Sequence, residues 1–484
     1  MILLRTTLTL SLATAAMPAT AQTPLQARIE ARLAEAGPGT RFGLVVTTSD
    51  GKELIAISPD DRFIPASNTK IVTTAAAYAT LGGLEQPDAG GGTAVRLDQN
   101  GRGAPDVVLI GRGDARLSGA ANCVTNCLAT LADAVSARTR LVGDIVGDDT
   151  LFPDERWSPG MSWNNISSRY GTATSALTMD DNELVLTVSP TAPGATARAE
   201  GPSYYTIDNR VLTVAAGETK VDFAREPNGD AVRLTGTIVA GAKPEDLRLS
   251  IDDPAHYTAW RLKELLAARG VRVTGGIAVR HRPLAPADDP AIRKQTPPAR
   301  PPALPVLATL SPPPLADDIV EINKVSQNLH AELLLRRVAT HKGTGSIGDG
   351  VAAVRAIMEN AGVARSAYDF SDGSGMSTYN RVAPRGMTKL LRWIAQQPWG
   401  AAWRQTLPVA GVDGTLSKRF RGTTLEGRLF AKTGTLNATN ALSGYMTTKS
   451  GRELIFSIYA NDVPENIKAT TTMDAVLEMI AAEN

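Results

Sequence analysis

Pro65-Ala66-Ser67-Asn68-Thr69-Lys70 opens an Ala-rich segment that stops at Gly82-Gly83, and the fold is decided by how this stretch is read. It predicts a helix with Ser67 and Lys70 at its start. Three residues apart, the two side chains share one helix face. Serine is a weak nucleophile and needs a base within hydrogen-bond reach. A lysine serves as that base when burial or neighbouring cations depress its pKa toward neutrality. The helix N-terminus adds backbone N–H groups and partial positive charge for a developing oxyanion. About one Ser-x-x-Lys is expected by chance in a chain of this size, so the pair needs company.

Two further clusters supply it. Ser326-Gln327-Asn328 precedes Leu329, Leu333 and Leu334. It reads either as a polar first turn of a helix or as a hydroxyl that relays a proton beside an amide that holds a peptide group. Lys432-Thr433-Gly434-Thr435 is rarer by chance. It reads as a plain turn or as an edge strand: Gly434 admits a close backbone approach, Lys432 brings charge, Thr433 a hydroxyl, and an edge strand can pair with an extended peptide.

Around these clusters the chain shows a consistent order. Leu25, Ile29 and Leu33 are spaced for an amphipathic helix ending at Gly37-Pro38. Phe42–Val46 and Leu54–Ile57 flank Ser49-Asp50-Gly51, a hairpin signal; Leu442–Thr447 and Leu454–Tyr459 flank Lys449-Ser450-Gly451, another. A helix is expected over 464–482. Strands and helices at both ends predict that the two termini build one sheet, with a catalytic domain in two parts, 22–90 and 253–484. Between them, 91–252 is strand-rich, with runs at 107–110, 145–146, 184–188, 211–214 and 234–239 and one helical pattern at 128–135. It is long enough for two nested domains. Asp253-Pro254 starts a helix by N-cap and first-turn proline. Residues 282–314 hold many prolines and read as an extended connector. Helices are expected over 325–337, 351–360 and 384–396.

Composition excludes several classes. The 484 residues carry 50 Lys+Arg against 49 Asp+Glu, so no basic excess favours a nucleic-acid partner. Four scattered histidines and two cysteines give no metal-ligand spacing. Residues 1–21 place Arg5 ahead of an apolar run from Thr6 to Met17, then Pro18 and a small-residue site at Ala19-Thr20-Ala21. That pattern predicts a secretory signal peptide, and the run is shorter than a membrane-spanning helix requires. No later stretch is long and apolar enough to span a membrane, so no transmembrane segment is expected after cleavage. Cys123 and Cys127 are expected to form a small-loop disulfide in an oxidising compartment.

Ser-x-x-Lys, Ser-x-Asn and Lys-Thr-Gly, in that order and in an exported chain, form a set known from penicillin-binding proteins and class A β-lactamases. The sequence resembles the low-molecular-mass class C penicillin-binding proteins, which are D-alanyl-D-alanine carboxypeptidases and endopeptidases. The 258 residues between Ser67 and Ser326 fit this branch. So do Tyr170-Gly171, Asp372-Gly373-Ser374-Gly375-Met376-Ser377 and Gly411-Val412-Asp413-Gly414-Thr415-Leu416.

The resemblance implies an α/β fold: a discontinuous transpeptidase/β-lactamase-like domain, with an antiparallel sheet flanked by helices and a strand-rich inserted region. It implies a periplasmic enzyme acting on peptidoglycan stem peptides, acylated by β-lactam antibiotics, with no cofactor and no metal. Ser67 would attack the carbonyl of the penultimate D-alanine and Lys70 would take its proton. Ser326 would pass the proton to the leaving amine, and Asn328 would hold the substrate amide. Lys432 and Thr433 would bind the terminal carboxylate, with Gly434 at the bend of the strand; the N–H groups of Ser67 and Thr435 would form the oxyanion hole. Two departures stand out. Gln327 occupies a position where Asp is common. The segment Trp163-Asn164-Asn165 lacks the acid that family members often offer to the diaminopimelate ammonium, for which Asp180 and Asp181 are candidate substitutes. Asp372, Ser374 and Arg381 are weaker site candidates. The competing readings are a β-lactamase-type hydrolase and a non-catalytic penicillin-binding sensor.

Overall fold

The computed structural model describes residues 24–484 apart from residues 100, 102, 295 and 301; the signal peptide expected at 1–21 lies outside the described residues. The two halves of the chain meet in one antiparallel five-stranded sheet. Its strands are β1 (Arg41–Thr48), β2 (Glu53–Ile57), β3 (Leu429–Leu436), β4 (Thr439–Thr447) and β5 (Glu453–Asn461), in the order β3-β4-β5-β1-β2. Phe42 lies opposite Ala460 and Leu44 opposite Ile458, so the first and last strands close the discontinuous domain.

Alternation along the strands explains the layers. Leu442, Met446, Phe456 and Ile458 share a buried cluster with Ile29 and Leu33 of helix α1 (Pro24–Ala34). The intervening Ala441, Tyr445, Ile455 and Tyr459 pack toward α2 (Thr69–Thr80), the central helix of the opposite layer. There α2 is joined by α3 (Leu315–Lys324), α4 (Asn328–Lys342), α5 (Ile347–Asn360) and α6 (Pro384–Ala395). The last helix, α7 (Ala469–Glu483), covers the first face through Met473, Leu477 and Ile480. Each such fully buried aliphatic side chain contributes about 1.5–3 kcal/mol. The arrangement is the α/β fold expected, an antiparallel sheet between helical layers. Helix α3 gave no signal in the sequence reading because Pro312, Pro313 and Pro314 run directly into it.

The inserted strands form their own sheet, in the order 277–282, 145–153, 106–110, 94–98, 308–309, with smaller sheets beside it. The expected division at 252/253 runs through this unit. Helix Pro254–Ala268 adds Ala255, Ala259, Leu262 and Leu266 to the same buried cluster as Val107, Leu131 and Leu249. The sequence signal at Asp253-Pro254 is a helix start, with the Asp253 side chain accepting from His256 N, and not a domain boundary. The Pro-rich stretch is also more than a connector. Residues 308–309 pair with β-strand residues 94–95, and Pro286 and Pro290 sit in the first turns of short helices, where a missing N–H costs nothing. Cys123 and Cys127 are bonded as expected; closing so small a loop stabilises by about 2 kcal/mol in the chain-entropy account.

Candidate active site

Ser67 sits in the single 3-10 turn Ala66–Asn68 that leads into α2. Two glycines let other segments close on this turn. A Cβ on Gly434 would lie 2.6 Å from Pro65 O, and one on Gly375, whose φ is +90°, would lie 1.9 Å from Ala66 O. Side chains at either position would push the strand or the loop off Ser67. Asn68, next to Ser67, donates through Nδ2 to Lys432 O at 2.8 Å and so ties the turn to β3.

Lys70 is fully buried. Its Nζ donates to Ser67 Oγ at 3.0 Å, Asn328 Oδ1 at 2.7 Å and Ser374 O at 2.6 Å. Three acceptors hold the amine beside the serine. Burial pushes Lys70 down to about 7, against the pull of Asp372 and Glu332. An amine so poised is partly neutral at neutral pH and able to accept a proton.

Ser326 lies between α3 and α4 with φ +68°, a left-handed conformation uncommon outside glycine. That bend turns its Oγ to Lys432 Nζ at 3.0 Å. Gln327 caps α4, its side chain accepting from Leu329 N at 3.0 Å; Lys70 is held by Ser67, Asn328 and Ser374 instead, so the departure at this position leaves the cluster intact. Asn328 spans the floor, accepting from Lys70 and donating through Nδ2 to Tyr170 O at 3.0 Å.

Lys432 is also fully buried. Burial, and then the neighbouring Lys70, lower its pKa well below the ordinary lysine value. Thr433 Oγ1 lies 2.7 Å from Thr415 Oγ1. The Lys-Thr-Gly segment belongs to β3, an edge strand and not a plain turn. Ala431 N donates to Pro408 O, away from β4; by the two-residue period the N–H groups of Thr433 and Thr435 face the same free side. The cleft above these groups has a volume of about 650 Å³ and is bounded by Ser67, Ser326, Asn328 and Thr433–Thr435 on one side and Asn164, Asn165 and Arg169 on another.

Ser67, Ser326, Asn328, Thr433, Gly434 and Thr435 therefore line one cleft, with Lys70 and Lys432 buried behind Ser67 and Ser326. The structure does not bring Asp180 and Asp181 there. Asp180 accepts from Ser118 Oγ at 2.8 Å, Asp181 is held by His330 Nε2 at 2.8 Å, and neither lines the cleft. His330 is buried between Asp181 and Asp318 and pairs with both. Arg381 donates to the carbonyls of Thr378 and Asn380 and does not line the cleft. Sequence reasoning missed Glu332, a buried carboxyl that accepts from Gly373 N at 3.0 Å and Ser374 N at 2.8 Å. Its spacing of four from Asn328 on α4 puts it on the same helix face, the one available signal. It also missed Arg169.

Compared with known proteins, residues 25–483 match the family model described as D-Ala-D-Ala carboxypeptidase 3 (S13). A D-alanyl-D-alanine carboxypeptidase of Actinomadura sp. (strain R39) is 33% identical over 440 residues, covering 86% of this chain and 77% of that one. The D-alanyl-D-alanine carboxypeptidase DacB of Haemophilus influenzae is 25% identical over 437 residues, 87% of this chain and 86% of its own. Among solved structures, penicillin binding protein 4 (dacB) of Haemophilus influenzae matches in fold with a TM-score of 0.78 at 23% identity, over 94% of this chain and 98% of that one.

Proposed function

The chain belongs to the D-Ala-D-Ala carboxypeptidase 3 (S13) family of peptidases, and on that premise we propose a serine-type D,D-carboxypeptidase and endopeptidase that works through an acyl-enzyme on Ser67. The observation that carries this reading is the 3.0 Å contact between Ser67 Oγ and a buried Lys70 Nζ whose pKa is brought to about 7.

Ser67 Oγ bonds to the carbonyl carbon of the penultimate D-alanine as its proton passes to Lys70 Nζ. The N–H groups of Ser67 and Thr435 receive the oxyanion. The C–N bond then breaks, and the departing D-alanine nitrogen takes a proton delivered through Ser326 Oγ. Water attacks the ester and releases the acid, with Lys70 again accepting the proton. Asn328 has one Nδ2 hydrogen committed to Tyr170 O, and the other is free for a substrate carbonyl. Lys432 and Thr433, beside Ser326 and Thr415, bind the terminal carboxylate. A leaving amine that belongs to a cross-linked neighbouring peptide turns the same chemistry into endopeptidase cleavage. β-Lactams acylate Ser67 by ring opening. One solved relative, penicillin binding protein 4 of Haemophilus influenzae, has been seen complexed with a β-lactam. The substrate is peptidoglycan, and the leader-like residues 1–21 support a periplasmic location; among the described residues no helix is long and apolar enough to cross a membrane.

The test is the intact mass of wild type and Ser67→Ala after incubation with benzylpenicillin, followed by D-alanine release from a peptide ending in D-Ala-D-Ala and by cleavage of a cross-linked peptide dimer. A persistent adduct on wild type alone, with D-alanine release, is expected. Rapid loss of the drug without adduct turns the reading to a β-lactamase. Neither adduct nor release turns it to a non-catalytic protein.

A further inference from the structure

We propose that the turn Asp372-Gly373-Ser374-Gly375 is a backbone relay through which two buried carboxyls, Asp372 and Glu332, act on Lys70 as positioning residues that aim its amine at Ser67 and supply its counter-charge. This rests on the reading of Lys70 as the base for Ser67. In sequence the segment reads either as a turn or as a weaker part of the site. Its surroundings give it a second use.

One peptide unit couples Asp372 to Lys70, and the two peptide units before it bond Glu332. The carbonyl of Ser374 accepts from Lys70 Nζ at 2.6 Å, and the N–H on the other side of that same peptide, from Gly375, donates to Asp372 Oδ1 at 3.0 Å. The N–H of Ser374 itself donates to Glu332 Oε1 at 2.8 Å, with Gly373 N donating to the same oxygen at 3.0 Å. A carboxylate on the N–H side polarises the peptide and makes its carbonyl a stronger acceptor for an ammonium. Asp372 is further held by Ser377 N and Asn380 Nδ2, both at 2.6 Å. Thr73 Oγ1, one helical turn beyond Lys70, donates to Gly373 O at 2.7 Å and locks the turn against α2. Asp372, Ser374 and Asn380 are each no more than 1% exposed, so little solvent screens these contacts.

The charged groups that face Lys70 are few. Glu332 comes from α4, Asp372 from the turn and Lys432 from β3. Behind Glu332 on α4 lies Arg336, which is paired with Glu155 at 3.0 Å. Both carboxyls raise the affinity of Lys70 for its proton, opposing burial. Burial and Asp372 together push Glu332 up to about 7, so this carboxyl changes charge in the range where Lys70 does.

Glu332→Gln is the decisive variant, because the amide oxygen can still accept from Gly373 and Ser374 while the charge is gone. Asp372→Asn is unsuitable, since an amide N–H would face the N–H of Ser377. The readout is the second-order rate of acylation by benzylpenicillin, by intact mass, against pH. Loss of a nearby negative charge is expected to move the acid limb down by about one pH unit and to lower the plateau, because a weaker base drives the transfer less. Glu332→Asp, which keeps the charge, is expected to retain the wild-type midpoint. A Glu332→Gln midpoint equal to wild type leaves a merely structural role and overturns the proposal. Should the variant fail to fold, wild type labelled with 13C at its glutamate carboxyls decides: every glutamate carboxyl ionised above the acid limb of acylation is expected, and one that stays protonated through and above it overturns the proposal, since a neutral Glu332 supplies no counter-charge. Absence of any adduct in wild type defeats the acyl-enzyme reading itself and this inference with it, a result distinct from an adduct with an unmoved midpoint.

Discussion

Asn68 Nδ2 donates to the backbone carbonyl of Lys432 at 2.8 Å, so the residue beside the nucleophile carries the edge strand that presents the second lysine. The contact is buried, and no water can replace it cheaply. Asn68→Ala leaves Lys432 O without this donor at a cost of about 1–3 kcal/mol. Displacement of β3 from the Ser67 turn also misplaces Thr435 N–H and Lys432 Nζ. We expect the acylation rate with benzylpenicillin to fall by at least about tenfold, alongside a lower thermal midpoint. A stability loss with an unchanged acylation rate would show that β3 is held in place by Gly434 packing alone.

The pH dependence of acylation follows from Lys70. Its pKa is lowered from the ordinary lysine value to about 7, so the neutral amine is scarce below that pH and abundant above it. The rate should climb with pH, with a midpoint at about 7, and Lys70→Gln should lower it by about 10²–10⁴ across the range. Stopped-flow or quenched mass measurements between about pH 5 and 9 decide this. A profile flat through 7 would mean that another group takes the serine proton.

Arg169 makes a prediction about substrate choice. Among the described residues that line the cleft it is the one charged side chain, and none is a carboxylate. Its guanidinium stacks on Tyr170 and bonds the Tyr170 hydroxyl at 3.1 Å, which leaves donors free toward the cleft. Peptides ending in D-Ala-D-Ala with a free ammonium on the preceding side chain should be cleaved about three- to tenfold more slowly than the same peptides with that amine acylated. Arg169→Glu should reverse the order. Equal kcat/KM values for the two peptides in wild type would remove Arg169 from the recognition of that side chain.

How much of this was readable beforehand follows from the range of the interactions. Ser67 and Lys70 declare themselves because their chemistry needs a fixed local spacing, and helix geometry supplies it. The hairpin strands at 42–57 and 442–459 are legible from alternation and turn residues, and so is their union into one sheet. Glu332 is not, because an acid four residues along a helix from Asn328 has no visible tie to the glycine turn at 372–375 until the fold sets it against Gly373 N and Ser374 N. The true extent of the insert escaped for a similar reason. The helix Pro254–Ala268 has a clean start signal, and only the packing of Leu262 and Leu266 against Leu131 and Leu249 tells which core it serves. The role of His330 is not legible either, because a single histidine gives no hint of Asp181, 149 residues away.

That histidine sets a pH limit on stability. His330 is 3% exposed and lies between Asp181 at 2.8 Å and Asp318 at 3.5 Å, and Arg116 also pairs with Asp318. Burial disfavours the imidazolium, but the two carboxylates outweigh it and raise its pKa from 6.5 to about 9. The folded state thus binds a proton that the unfolded chain releases above its ordinary pKa. The stabilisation is fully present below about pH 6.5 and is lost as pH rises through about 9, amounting to about 3 kcal/mol. In His330→Gln that dependence should disappear, while the variant is less stable than wild type at pH 6 by about the same amount or more, since Asp181 and Asp318 lose their shared cation. Denaturant unfolding of both proteins at about pH 6 and pH 9.5 measures the difference. A gap between wild type and variant that stays constant across that range would show that His330 is neutral in the folded state, and that Arg116 alone balances the two aspartates.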